Sequence, residues 1–332
     1  MKPSINIKKI AELAEVSVAT VSRVINQNGR FSAETESRVR QIIEEYGYTP
    51  NLVAKGLRTS RFPVMGAILP DVQNSHFASL IVNLEIELYK RGYSLIICNT
   101  NEDETLEKNH YHALIQQKVS GIFIISGRGI KQPADDTPIV YLDRRPVNLD
   151  SKEPLVIESD NRMGGYLAAK SLTDSGCKRI ALLRTLSMDQ NQKDRYNGYQ
   201  KALKESTGKP AEELVFTADN AYPDCAEHVI EKEIRNGCRF DGLMCMTDTL
   251  AIGACAALLK QNIRIPDDVC LTGFDDAPIT RFFYPSITTI RQRVEEMAVK
   301  AVSVMCGDRN KTGQIYQIPV DLVVRQSTKN KQ

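Results

Sequence analysis

From residue 62 onward the chain repeats one pattern twice, and that pattern admits few folds. VMGAILPD, YSLIICNT, GIFIISG and PIVYLDR are short, continuous apolar runs. Such runs suit strands buried on both faces, as in parallel sheets. ASLIVNLEIELYKRG and ETLEKNHYHALIQQK lie between them and read as helices. RIALLR, ELVFTAD, GLMCMTD and VCLTGFDD then repeat the strand theme, separated by YNGYQKALKES, CAEHVIEKEIRN and LAIGACAALLKQ. Two tandem βαβ sets of similar size imply two doubly wound parallel-sheet lobes. Ligands in such sheets bind at the carboxyl ends of strands, so the predicted site is the cleft between the lobes.

The first sixty residues follow a different rule. VSVATVSRVIN is rich in β-branched residues and poor in helix propensity. Val16, Val18 and Thr20 begin a strand-like alternation, but Val21, Val24 and Ile25 break it and fit one helical face. Ser17 is placed to cap that helix. Upstream, Ile10, Leu13 and Ala14 share a face of a first helix, with only Glu15 and Val16 between the two. The result is a helix-turn-helix. The outer face of its second helix carries Val18, Ala19, Ser22, Arg23 and Asn26, small or polar residues that let a backbone approach base edges in a major groove. A third helix spans FSAETESRVRQIIEEYGY, capped by Ser32, buried through Val39, Ile42, Ile43 and Tyr46, and ended by Gly47. TPNLVAKGLRTSRF then offers two helical turns, too short to hold alone in water. Its Leu57, flanked by Lys55, Arg58 and Arg61, has the makings of a minor-groove wedge.

Charge follows the same division. Ten Lys and Arg face six Asp and Glu in residues 1–61, whereas 33 face 35 in the remainder. A basic head on a mildly acidic body suits a nucleic-acid partner. No apolar run is long enough for a signal peptide or a membrane span, so a cytoplasmic protein with no membrane partner is expected. The eight cysteines form no C-x-x-C pair and read as reduced thiols. His110 and His112 diverge on one helix, and no metal site or cofactor is expected. There is no G-x-G-x-x-G after the first strand, no P-loop, no nucleophile elbow and no catalytic constellation, so no enzyme is expected.

VSVATVSRVIN followed by GYTPNLVAKGLR closely resembles the DNA-binding head and hinge of the lac-repressor family of bacterial regulators. The resemblance runs on through GAILPDVQNSHF, VYLDRRP, ESDNRMGGYLA, RYNGYQKAL, TGFDD and DLVVRQST, almost the whole chain. The implied fold is an all-α helix-turn-helix head, a hinge and an α/β body of periplasmic-binding-protein-like type. The expected boundaries are 1–49 for the head, 50–61 for the hinge and 62–332 for the body. Within the body, the first lobe takes about 62–162 and 292–321, the second about 163–291 and 322–332.

Candidate site residues follow from both sources. Val18 and Ala19 open the recognition helix and should set sequence preference, with Arg23 reaching toward a guanine edge. Thr20, Ser22 and Asn26 suit phosphates, Ser17 joins the DNA-binding set at the helix start, and Asn51, Ala54, Lys55 and Leu57 are the hinge contacts. In the body, Asp143, Thr247, Asp248 and Asp275 stand at strand ends, and Arg195 opens the helix leading to Gly198 and Tyr199. Carboxylates and guanidinium groups grip vicinal hydroxyls in pairs, although an Asp at a strand end, as at 143, 160 and 248, also serves as a helix cap. The resemblance implies that Arg195 and Asp275 contact the effector, while His76 and Phe77, with Asn74 beside them, line the cleft. Three positions depart from the family pattern. Glu15 stands where a Gly is common, Thr247 replaces the usual Asn, and Arg184 stands where small residues are usual. If Arg184 and Arg128 join Arg195 in the cleft, the effector is a sugar acid or sugar phosphate.

The expected protein is thus a homodimeric, ligand-responsive regulator of a palindromic operator, most simply a repressor of carbohydrate use. A co-repressor mode with a purine is the alternative, Phe77 being its main stacking candidate. A sugar-binding transport protein shares the fold but not the basic head. Resemblance implies dimerisation through the lobes, and no heptad tail follows to build a tetramer. Leu57→Ala should weaken specific operator binding in a fluorescence-anisotropy titration while effector affinity stays unchanged. Equal loss of both would remove Leu57 from the hinge role.

Overall fold

The computed structural model describes residues 5–48, 62–125, 127, 128, 130, 137–146, 154–208, 214–307 and 313–329. The chain divides into two compact units, Met1–Phe62 and Pro63–Gln332.

The first unit holds α1 (Ile7–Leu13), α2 (Val18–Asn26) and α3 (Ala33–Tyr46). Each starts where a short polar side chain accepts a first-turn N–H: Asn6 from Lys9, Ser17 from Thr20, Ser32 from Thr35. Gln27 and Gly47 end α2 and α3 in left-handed conformations. Ile10, Ala11, Ala14, Val21, Val24 and Val39 close the core. Two residues expected there lie outside, Leu13 at 36% exposure and Tyr46 at 42%. With a turn of about 100° per residue, the stripe through 10, 11 and 14 leaves Leu13 well to one side. Tyr46 continues the α3 stripe but is its last residue, beyond the buried cluster.

The second unit carries two six-stranded sheets, β11-β5-β4-β3-β1-β2 and β12-β10-β9-β8-β6-β7. The first contains β1 (Phe62–Leu69), β2 (Ser94–Asn99), β3 (Val119–Ile124), β4 (Ile139–Leu142), β5 (Val156–Ser159) and β11 (Ile315–Ile318). The second contains β6 (Ile180–Thr185), β7 (Val215–Ala218), β8 (Gly242–Cys245), β9 (Cys270–Asp275), β10 (Thr288–Gln292) and β12 (Val320–Val323). β4 runs parallel to β3 and β5, and β8 to β6 and β9, whereas β12 pairs antiparallel with β10. The second sheet therefore carries one antiparallel edge on its parallel body.

Helices cover both faces of each sheet, which is why the strands read as continuous apolar runs. In the first lobe, α4 (Ser75–Tyr89) and α11 (Val294–Cys306) pack through Leu80, Leu84, Met297 and Ala301, while α5 (Glu104–Gln116) closes the other side with Tyr111 and Leu114. In the second, α6 (Asn161–Asp174), α7 (Gln190–Thr207), α8 (Pro223–Arg235) and α9 (Asp248–Lys260) enclose one core, and α10 (Ile279–Phe282) is a single turn.

The chain passes between the sheets three times: after β5, after β10, and between β11 and β12. The last passage falls at Pro319, two residues before the expected boundary. Proline has no N–H to give either ladder, so the two edge strands separate there. Likewise α7 starts at Gln190, capped by Asp189, so Arg195 sits in its second turn and does not open it. The polar stretch QNQKD concealed that start.

One close approach fixes the second lobe. A Cβ on Gly165 of α6 would lie 2.0 Å from the Arg195 carbonyl oxygen, and one on Gly198 of α7 would lie 2.1 Å from that of Arg162. The two glycines let these helices touch backbone to backbone. Gly198→Ala should therefore cost about 2 kcal/mol or more in urea unfolding, despite the roughly 1 kcal/mol alanine gains in helix propensity. Unchanged stability would mean that the helices have room to part.

Candidate functional site

The cleft is built at the carboxyl ends of strands from both lobes. Beyond β1, Asn74 caps α4 by accepting the His76 N–H at 2.9 Å, which puts His76 and Phe77 in the first turn. Asp143 follows β4 with φ +63°. His76 Nε2 lies 3.0 Å from Asp143 Oδ1, and both side chains are buried. From the other lobe, Asp275 ends β9 with φ +125°. Gln292, ending β10, donates to Asp275 Oδ1 at 2.7 Å and lies 3.4 Å from His76 Nδ1. Arg195 Nε donates to Asn161 Oδ1 at 2.8 Å and its Nη1 to the Met246 carbonyl at 2.6 Å. Its guanidinium lies 3.6 Å from the Phe274 ring centroid, with Nη1 4.0 Å from Asp275 Oδ1. Asn191 Nδ2 donates across the lobes to the Asp143 carbonyl at 2.6 Å.

His76, Asp143, Arg195 and Asp275 thus meet in one buried cluster. Asn161, Asn191 and Gln292 belong to it and were missed in the sequence. Their signal was position: each stands at a strand end or in the first turn of a helix.

Charges in the cluster hold one another. Burial alone would lower His76, but the charge and hydrogen bond of Asp143 outweigh it, and the imidazole titrates above its ordinary value. Burial would raise Asp143, but His76, Arg195 and Arg144 bring it below the usual carboxylate range. Asp275 is raised, because burial exceeds the help from His76, Arg195 and Gln292. Among the described residues, two buried amide oxygens here, Asn191 Oδ1 and Gln292 Oε1, have no hydrogen-bond partner.

The other candidates are placed differently. Phe77 joins the first-lobe core, with the Arg144 guanidinium 5.3 Å from its ring centroid. Thr247 caps α9, accepting the Leu250 N–H at 3.2 Å, and Asp160 caps α6. Asp248 is buried and accepts from the Ala277 N–H and the Thr289 hydroxyl, each at 2.6 Å. Arg128 pairs with Glu102 at 3.4 Å, and Arg184 rests on the Met188 thioether. The arginine trio expected with Arg195 is therefore not assembled. In its place, Arg144 and Arg145 reach across the lobes, to Asp189 at 3.3 Å and Asp194 at 3.8 Å. Among the described residues no three His, Cys, Asp or Glu are grouped to hold a metal.

On the head, Val18, Ala19 and Arg23 are exposed on α2. Thr20 shares a 2.9 Å hydroxyl contact with Ser17, and Ser22 is half-buried. The Arg23 stem lies along Gly29, where a Cβ would come 3.2 Å from its Cδ. Glu15 holds the turn at φ +53°, the conformation that favours glycine. The Asn26 side chain and the hinge candidates Asn51, Ala54, Lys55 and Leu57 lie outside the described residues.

The His76–Asp143 pair predicts a pH profile. His76 is raised, so its contribution is complete below about 6.5 and is lost as pH climbs through the raised value. Asp143 is lowered, so its contribution is complete above about 4 and is lost as pH falls through the depressed value. Thermal stability should decline from pH 6.5 to 9 more steeply in the native chain than in His76→Gln. Parallel profiles would mean that the pair adds nothing.

Comparison with known proteins agrees with this geometry. Residues 6–51 match the model of bacterial regulatory proteins of the lacI family, and residues 169–328 match a periplasmic binding protein-like domain. The HTH-type transcriptional repressor PurR of Pasteurella multocida is 31% identical over 98% of this chain and 99% of its own length. The ribose operon repressor of Halalkalibacterium halodurans is 32% identical over 97% of each chain. In fold, the chain superposes on the lac repressor dimer bound to operator and the anti-inducer ONPF with a TM-score of 0.81, at 22% identity over 98% of this chain and 99% of the other. These relatives are repressors, not enzymes. Among the described residues no helix is long and apolar enough to cross a membrane. A helix-turn-helix head, an effector-type cleft and full-length similarity to repressors lead to one conclusion: the chain belongs to the lacI family of bacterial regulatory proteins and is a DNA-binding transcriptional repressor.

Proposed function

We propose that the repressor leaves its operator when a small, neutral, polyhydroxylated effector of the sugar class enters the cleft. The observation that carries this reading is the excess of buried acceptors. Asp143 and Asp275 face each other from opposite lobes, and two amide oxygens beside them lack donors. A ligand that satisfies them must donate several hydrogen bonds, as vicinal hydroxyls do. Arg195 is committed to Asn161 and Met246, and Arg128 to Glu102, so a neutral sugar is favoured over a sugar acid or phosphate.

Purine co-repression is the second reading, supported by the name of the Pasteurella multocida relative. Its weakness is the missing stacking face, since Phe77 is 5% exposed and already lies against Arg144.

We also assign the working form as a homodimer on a palindrome. Val82, Ile86 and Tyr89 of α4 and Phe282 and Tyr284 of the second lobe leave apolar surface exposed on both lobes, which suits a partner copy. Ser17, Val18, Ala19, Thr20, Ser22, Arg23 and Asn26 would face DNA in each copy. Asn51, Ala54, Lys55 and Leu57 would form the paired hinge.

Calorimetric titration with neutral pentoses and hexoses, sugar acids, sugar phosphates and purine bases tests the effector class. Tight binding of a purine alone would sink the sugar reading. Asp275→Asn should lower effector affinity by about 30-fold, the worth of a hydrogen bond to a charged group, and leave operator affinity intact. Unaltered effector affinity would take Asp275 out of the site.

A further inference from the structure

At the opposite, amino-terminal ends of the second-lobe strands, two cysteines face each other. Cys270 begins β9 and pairs in register with Gly242, the first residue of β8. Residues in register on parallel strands point to the same face of the sheet. A Cβ on Gly242 would lie 3.1 Å from Cys177 Cβ and 3.3 Å from Cys177 Sγ. Cys177 therefore fills the space left by the missing Gly242 side chain, on the face from which Cys270 projects. Both residues are tied to one carbonyl: Asp241 accepts the Cys270 N–H at 2.9 Å and the Cys177 thiol at 3.2 Å. The charge state of each thiol bears on the other, and the Cys270 thiol lies 3.5 Å from the Pro266 carbonyl oxygen.

Their surroundings divide the roles. The contact with Cys177 outweighs burial and, with the Lys329 N–H and ammonium group, holds Cys270 down to about 7. The same contact, with burial, pushes Cys177 up. Cys177 is partly exposed, whereas Cys270 is buried. Cys245 and Cys255 are a useful contrast: both are fully buried, and burial pushes both thiols up.

We propose that Cys177 and Cys270 are a peroxide-sensitive dithiol that closes to a disulfide. The Cys270 thiolate attacks one oxygen of hydrogen peroxide and breaks the O–O bond. This gives a sulfenic acid, and the departing hydroxide takes a proton to leave as water. Cys177 sulfur then attacks the sulfenic sulfur, the S–O bond breaks and a second water leaves with the Cys177 proton. Two thiols and one peroxide become one disulfide and two waters. The link would join the turn after α6 to the start of β9, the strand that ends in Asp275.

The test uses the full chain, treated with hydrogen peroxide, blocked with iodoacetamide and digested without reduction for mass spectrometry. The expected product is a cross-link between the peptides holding Cys177 and Cys270, reversed by dithiothreitol and accompanied by an upward shift in Tm. In Cys177→Ser the link is lost and Cys270 is carried on to sulfinic acid, because no resolving thiol is left. The proposal is overturned if native Cys270 is alkylated in full after treatment, if either cysteine pairs elsewhere, or if Cys270 reaches sulfinic acid without a cross-link while Cys177 is present.

Discussion

The buried guanidinium of Arg195 is the joint on which the second-lobe half of the cleft depends. At 5% exposure its charge has lost nearly all its water, a loss of several kcal/mol for an unpaired ion. Four groups from three parts of the fold compensate it. Asn161 offers an amide oxygen from α6, Met246 a carbonyl beyond β8, Phe274 a ring face from β9, and Asp275 a carboxylate at that strand's end. This holds only if α6 and α7 sit closer than ordinary side chains allow, and Gly165 and Gly198 supply that closeness. The small residues and the charge are one device, with packing setting the distance that the electrostatics use.

Asp275 needs equal support. A non-glycine residue at φ +125° is strained, at a cost of order 1–3 kcal/mol. The neighbours fix the turn from both sides. Asp276 meets Arg281, Arg291 and Arg325, and their pull overcomes burial to keep its carboxyl below the usual range. Ala277 gives its N–H to Asp248, whose carboxyl burial and the nearby Asp275 push up to about 7. The strain is thus held at a residue that projects into the cleft.

The layout of strands and helices was legible because burial leaves a period in the sequence. VMGAILPD and GLMCMTD are apolar without interruption, as strands covered on both faces must be. Ser17, Ser32 and Gly47 were legible as caps because their chemistry is local. The cleft was legible in part. Asp143 and Asp275 stand at strand ends and Arg195 near a helix start, but Gln292 and Asn191 look like ordinary surface amides until the lobes come together. Arg128 and Arg184 erred the other way: their charge attracted attention, yet each found a partner within its own lobe. Sequence periodicity reports burial; it says nothing about which of two lobes a long side chain will reach.

If the cleft takes the proposed effector, that reach decides how so small a ligand can move so large a body. Among the described residues, the lobes are bridged by Arg144 with Asp189, Arg145 with Asp194, Asn191 with the Asp143 carbonyl, and Gln292 with His76. Partly exposed ion pairs add up to about 1 kcal/mol each and a neutral hydrogen bond about as much, so these bridges bias the lobe arrangement by only a few kcal/mol. A ligand hydroxyl bonded to Asp143 or Asp275 meets a charged acceptor, worth about 1.5–3 kcal/mol. Two or three such bonds made in one arrangement and not in the other match or exceed the bridges. On the proposed reading, the effector need not break a core; it has only to outbid a few weak contacts across the cleft.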